Sequence, residues 1–155
     1  MEGEKLRFKK ILWLVLSLTI VFFGYVKYRD LQPVKIVAVH PDGPYTDILV
    51  KNFPLTDKGR INWWLKNKDI LKAKYKLPAP TKDDGFYFIK IWDFGRGYVE
   101  DDGYDRLCFD DIKEKNHCID KAPYLTIRKG KETGLTFFTD QKRYQVDSNG
   151  NYKEF

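Results

Sequence analysis

Ile11 to Val26 reads ILWLVLSLTIVFFGYV, 16 residues without a charge, in which Ser17 and Thr19 are the only clearly polar side chains. At about 1.5 Å of rise per residue the run covers roughly 24 Å, slightly less than a hydrocarbon core of ~30 Å. Lys9, Lys10 and Lys27 flank it and reach toward the headgroups, while Trp13, Tyr25 and Tyr28 sit near its ends, where amphipathic rings favour the interface. Eleven of its residues are Leu, Ile, Val or Phe. At roughly −0.3 to −0.6 kcal/mol each they favour insertion by about 3 to 6 kcal/mol. The basic flanks and the absence of amphipathic alternation argue against a buried core helix.

A cleaved signal peptide needs small residues at its processing site. Phe22 to Lys27 offers only Gly24, and no cysteine lies there for a lipid anchor, so the run reads as an uncleaved transmembrane segment. The tail before it carries Lys5, Arg7, Lys9 and Lys10; the stretch after it carries Lys27, Arg29 and Lys35. This bias places the N-terminus inside the cell and the rest of the chain outside, which in a Gram-negative bacterium is the periplasmic side of the inner membrane. The expected organisation is a cytoplasmic tail over 1–10, a transmembrane anchor over 11–26, a tether over 27–33 and a periplasmic domain over 34–155.

The chain has 155 residues, with 28 Lys+Arg against 22 Asp+Glu and a hydrophobic fraction of 43%. That composition excludes a collagen, a coiled-coil rod, a disordered tail and a polytopic membrane protein. Two cysteines and two histidines make a zinc or redox-metal centre a poor reading, and no cofactor or metal is expected. Cys108 and Cys118 frame FDDIKEKNH; in an oxidising compartment they are expected to pair, closing a loop worth roughly 2.5 to 3 kcal/mol in chain entropy. Two unpaired core thiols are the alternative.

Within the exported part, Val34–His40 and Thr46–Phe53 read as strands joined by the Pro41–Pro44 turn. A helical region follows from about Asp57 to Lys76, with Thr56 as N-cap, lysines toward its end, and Pro78 and Pro80 to stop it. Gly59 weakens its first turn. Phe86–Trp92, FYFIKIW, is apolar on both faces and so is expected at the centre of a sheet. Shorter strands are expected over Gly97–Glu100, Tyr104–Phe109, Tyr124–Arg128, Leu135–Thr139 and Arg143–Val146, with Asn149-Gly150 as a hairpin turn. The fold class is α+β: one transmembrane helix, then a small, mainly antiparallel β domain with one helix packed on a face.

The stretch TDILVKNFPLTDKGRINWWLKNKDI over Thr46–Ile70, with YDRLCFDD over Tyr104–Asp111, resembles the enterobacterial putative membrane protein family called domain of unknown function 943. The opening anchor and Pro33–His40 fit as well. The resemblance implies a single-pass envelope protein and brings no activity or site residues. Small envelope families of this kind often neighbour secreted-toxin genes, which implies an immunity role.

On a helical wheel Ile61, Trp64, Leu65, Leu71 and Tyr75 share one arc of roughly 120°, and Trp63, Ile70 and Leu77 fall nearly opposite. Either the helix breaks near Asn67 and buries two stripes, or the second stripe is open to a partner. Burial of every apolar residue in the core is the plainer alternative. The helix is also basic, with seven Lys/Arg against two Asp over 57–76. Such a helix near a bilayer also suits anionic headgroups. Trp63, Lys66, Ile70 and Lys74 are the candidate partner-binding residues.

Glu100, Asp101, Asp102, Asp105, Asp110 and Asp111 form an acidic segment. It lacks the alternating ligands and closing Glu of a calcium loop, and no spacing marks a glycosidase pair. Gly95-Arg96-Gly97 lacks the spacing and the Lys-Ser/Thr pair of a phosphate loop. His40 and His117 have no nucleophile or ligand partner at a recognisable spacing and read as ordinary surface or hydrogen-bonded histidines. No catalytic residue is expected. Nucleic acid is a poor partner for an exported domain. The sequence therefore favours a non-enzymatic, membrane-anchored module that binds a protein, a secreted toxin above all. An assembly factor of an envelope complex is the alternative, and a hydrolase using the acidic residues comes after it.

Overall fold

The computed structural model describes residues 1–155. Its first element, α1, is a single helix over Glu2–Asp30 with no buried residue. Apolar side chains such as Trp13, Val21 and Phe23 stand more than half exposed, and the helix is long and apolar enough to cross a membrane. Ser17 and Thr19 donate their hydroxyls to the carbonyls of Trp13 and Val15 at 2.8 Å, one turn back. Both polar groups are thereby satisfied inside the helix, as hydrocarbon requires.

Of the stretch expected as a tether over 27–33, residues 27–30 are helical in the structure. Helix continues to Asp30, because Lys27, Tyr28 and Arg29 have no helix breaker among them and Lys27 and Arg29 suit the negative end of the dipole. Asp30 is then bonded into the following domain: it accepts from the amides of Leu55 (2.7 Å) and Thr56 (3.3 Å) and from the Thr56 hydroxyl.

The domain is built on a seven-stranded sheet of β1 (Lys35–Asp42), β2 (Tyr45–Lys51), β3 (Tyr87–Asp93), β7 (Pro123–Gly130), β8 (Gly134–Phe138), β9 (Arg143–Val146) and β10 (Tyr152–Glu154), in the order β1-β2-β3-β7-β8-β9-β10. All pairs are antiparallel except β2 with β3. A parallel pair needs a crossover, and α2 (Asp57–Tyr75) supplies it. A second sheet of β4 (Val99–Glu100), β6 (Asn116–Asp120) and β5 (Arg106–Cys108), in the order β4-β6-β5, packs on the other face of the large one.

This layering explains why the central strands are apolar on both sides. Ile48, Val50, Ile89, Ile91, Leu125, Ile127 and Phe137 meet Ile61, Trp64 and Leu71 of α2 in the main core. Leu49 and Trp92 point the other way, onto Phe109 and Ile119 of the small-sheet layer. On β1 the register shifts between Ile36 and Ala38, a bulge that turns the consecutive Val37 and Ala38 toward the small sheet while Ile36 and Val39 face the main core. Strand β6 is not among the expected strands; Asn116 and His117 read as part of the loop between the cysteines.

Helix α2 is continuous, with no break at Asn67. Thr56 takes an extended backbone and its Oγ1 accepts from the Gly59 amide at 3.1 Å. Lys76 adopts a left-handed conformation with φ 58°, ending the helix; its amide donates to the Lys72 carbonyl and that of Leu77 to the Leu71 carbonyl. Asp57 accepts from the hydroxyls of Thr139 (3.0 Å) and Tyr144 (2.9 Å), which fixes the helix start to the β8–β9 end of the sheet. Gly59 is required rather than merely tolerated. A Cβ there would stand 2.8 Å from Pro54 Cβ and 2.9 Å from Asp30 Oδ2 and Thr56 Oγ1.

Candidate functional site

The second stripe of α2 has three fates. Trp63 is half-buried, its ring set edge-on to Phe53 at 5.2 Å, with its carbonyl taken by Asn67 Nδ2 at 2.7 Å. Leu77 lies past the helix end and is buried. Ile70 is 61% exposed. Trp63, Ile70 and Lys74 line one groove of about 240 Å³ with Val34, Ile36 and Tyr75, and the Lys74 ammonium lies 5.1 Å from the Tyr75 ring. Lys66 is not in this groove. It lines a separate one of about 340 Å³ with Lys27, Asp30, Lys58 and Asn62, on the side of the anchor. Trp63 and Asn67 border both grooves. The four candidate residues therefore divide into two surfaces that meet at Trp63. Arg60, one of the basic residues, turns inward to donate to the carbonyls of Pro54 and Tyr124.

The acidic segment is broken up by local pairing. Asp102 faces Arg106 in two 2.7 Å contacts, and this holds its carboxyl down at about 2. Arg106 also pairs with Asp120, Asp105 pairs with Lys121, and Glu100 meets Lys115 at 2.9 Å. Asp102, Asp105 and Glu100 thus each face a different cation rather than a common centre.

His40 is more than an ordinary surface histidine. Its side chain is only 10% exposed, its ring stacks on Phe109 at 3.9 Å, and both of its nitrogens are engaged. Nδ1 faces the Asp111 carboxylate at 2.7 Å and Nε2 faces the Tyr98 hydroxyl at 2.9 Å. Since a carboxylate only accepts, Nδ1 donates to Asp111, and Nε2 shares a hydrogen bond with the phenol, which can either donate or accept. Burial, then the nearby Asp111 charge, pushes the Tyr98 phenol up, which keeps the hydroxyl neutral. Asp47, opposite His40 across β1 and β2, accepts from Trp92 Nε1 at 2.6 Å; burial still raises its carboxyl above the usual range. A wide cavity of about 840 Å³ opens beside His40, Tyr98 and Ile112. With no free ring nitrogen aimed into it, His40 serves as a joint between the two sheets. A hydrogen-bonded histidine is one of the two readings the sequence allows, but its partners are not legible there because they lie 58 and 71 residues away.

Cys108 and Cys118 face each other across β5 and β6 with sulfurs 2.06 Å apart, at disulfide distance. His117 stands within 4.8 Å of them, its Nδ1 turned to the Lys115 carbonyl at 3.0 Å.

No curated protein and no solved structure matches the chain. Residues 5–155, the anchor and the whole domain together, match the family described as Enterobacterial putative membrane protein (DUF943), and the chain belongs to that family.

Proposed function

We propose that this membrane protein is an anchored binding module of the bacterial envelope, an immunity protein that neutralises an envelope-acting secreted toxin. Ile70 carries the reading: a large aliphatic side chain, 61% exposed on a basic helix, beside the half-buried Trp63 and Tyr75. Covering it removes apolar surface from water next to aromatic walls, the make-up of a binding hot spot. Lys68, Lys72 and Lys74 are exposed around it and favour an acidic partner surface. The excess of Lys and Arg before the apolar run supports an inner-membrane protein with this domain on the periplasmic side. Paired carboxylates and a fully engaged His40 favour binding over hydrolysis.

The test is protection. Cells lacking the gene are challenged with the secreted effector encoded beside it, then complemented with wild type or with Ile70→Asp. Loss of protection on deletion, restored by wild type and not by a folded Ile70→Asp variant, supports both the role and the surface. A deletion strain that survives unharmed removes the immunity reading and leaves the envelope assembly factor as the better account.

A further inference from the structure

We infer that the groove between the end of α1 and the first half of α2 seats the phosphate of an anionic phospholipid in the same bilayer that holds the anchor. Depth comes first. The uncharged run ends at Val26, and Asp30 lies four residues further along the same helix, about 6 Å along its axis. The headgroup layer on each side of the hydrocarbon is roughly 5 to 7 Å thick. Asp30 is bonded directly to Leu55 and Thr56, so the start of α2 is held at that depth rather than swinging on a linker.

Charge comes second. Lys27, Lys58 and Lys66 line the groove. None of the three ammoniums takes part in an ion pair, in contrast to Lys115, Lys121 and Lys142, which all do. The one carboxylate in the groove is Asp30, and both its oxygens are occupied by the Leu55–Thr56 segment. Three free cations at headgroup depth around a cleft of about 340 Å³ fit a phosphate diester. Leu31, 81% exposed, and Trp63 add apolar surface to the walls of the groove.

The full chain is reconstituted in phosphatidylcholine vesicles containing a minor fraction of spin-labelled phosphatidylglycerol or spin-labelled phosphatidylcholine, and the relative association of the two probes is read by EPR. Wild type should prefer the anionic probe. Lys58→Gln and Lys66→Gln should each weaken that preference by about fivefold, and the pair should bring it near that of the neutral lipid. A distal control, Lys129→Gln with Lys131→Gln, should leave it unchanged. All these side chains are exposed, and circular dichroism verifies folding. Equal loss in the distal control overturns the seat in favour of general surface charge. Displacement of the labelled lipid by millimolar inorganic phosphate overturns it in favour of a soluble phosphate ligand.

Discussion

His40 and Asp111, 71 residues apart, meet with Nδ1 2.7 Å from the carboxylate and so tie the edge of the large sheet to the loop that carries the small one. The same ring stacks on Phe109 and is hydrogen-bonded to the Tyr98 hydroxyl. Replacing His40 by Ala removes a hydrogen bond to a charged group and an aromatic stack together. The expected loss is about 2 to 3 kcal/mol, with Asp111→Asn costing less because that carboxylate is half exposed. Urea unfolding of the full chain in detergent checks both. Equal stability of His40→Ala and wild type rules out the joint.

Gly59→Ala sets two effects against each other. Helix propensity favours alanine by about 1 kcal/mol. The added Cβ meets Pro54, Asp30 and Thr56 at 2.8 to 2.9 Å; Pro54 is buried, and its pyrrolidine ring is not a flexible chain end that can swing aside. Overpacking of this kind costs about 1 to 3 kcal/mol, so the net change should be a loss and Gly59→Ser should be worse. Thermal unfolding that shows Gly59→Ala stabilised would mean the anchor–domain junction is looser than described.

Tyr144 donates to Asp57 at the start of α2, and burial, followed by that bond and the Asp57 charge, pushes its phenol up to about 12. The neutral phenol is the form the fold prefers. Its contribution is therefore complete below about pH 10, the ordinary tyrosine value, and is lost as pH rises toward 12. Absorbance at 295 nm should show a late-ionising tyrosine that is missing from Tyr144→Phe. It should ionise earlier in Asp57→Asn.

The cysteine pair and the topology are tested together. A C-terminal alkaline phosphatase fusion should be active, and protein isolated without reductant should show no free thiol. Cys108→Ala should then destabilise by roughly 2 to 5 kcal/mol. An inactive but stably expressed fusion would contradict the outward orientation.

Local pattern makes some elements legible and hides others. Phe86–Trp92 reads as central because it is apolar on both faces, and the layers on either side of β3 are the cause. The start of α2 is legible because capping is local chemistry: Thr56 accepts from an amide three residues on. Strand β6 is hidden because NHCID alternates poorly, and only pairing with β4 and β5 makes it a strand. The apparent second stripe of α2 suggests a break because Trp63, Ile70 and Leu77 look alike by period, yet one leans on Phe53, one faces outward and one lies beyond Lys76. Of the four candidate binding residues, spacing alone cannot divide Lys66 from Ile70 and Lys74. The end of the anchor helix does that, by forming one wall of the Lys66 groove.

The order of the large sheet leaves β1 and β10 at its edges. An unpaired edge is a template for another strand, and hence for aggregation. Here neither edge offers a long straight ladder. β10 is three residues long and includes Lys153 and Glu154. β1 is longer but carries the bulge at Val37, which throws its outward amides and carbonyls out of step, and Pro41, which has no amide to donate. The small sheet ends on strands of two and three residues. The kink that lets Val37 and Ala38 reach the second layer thus also denies incoming chains a surface on which to extend the sheet.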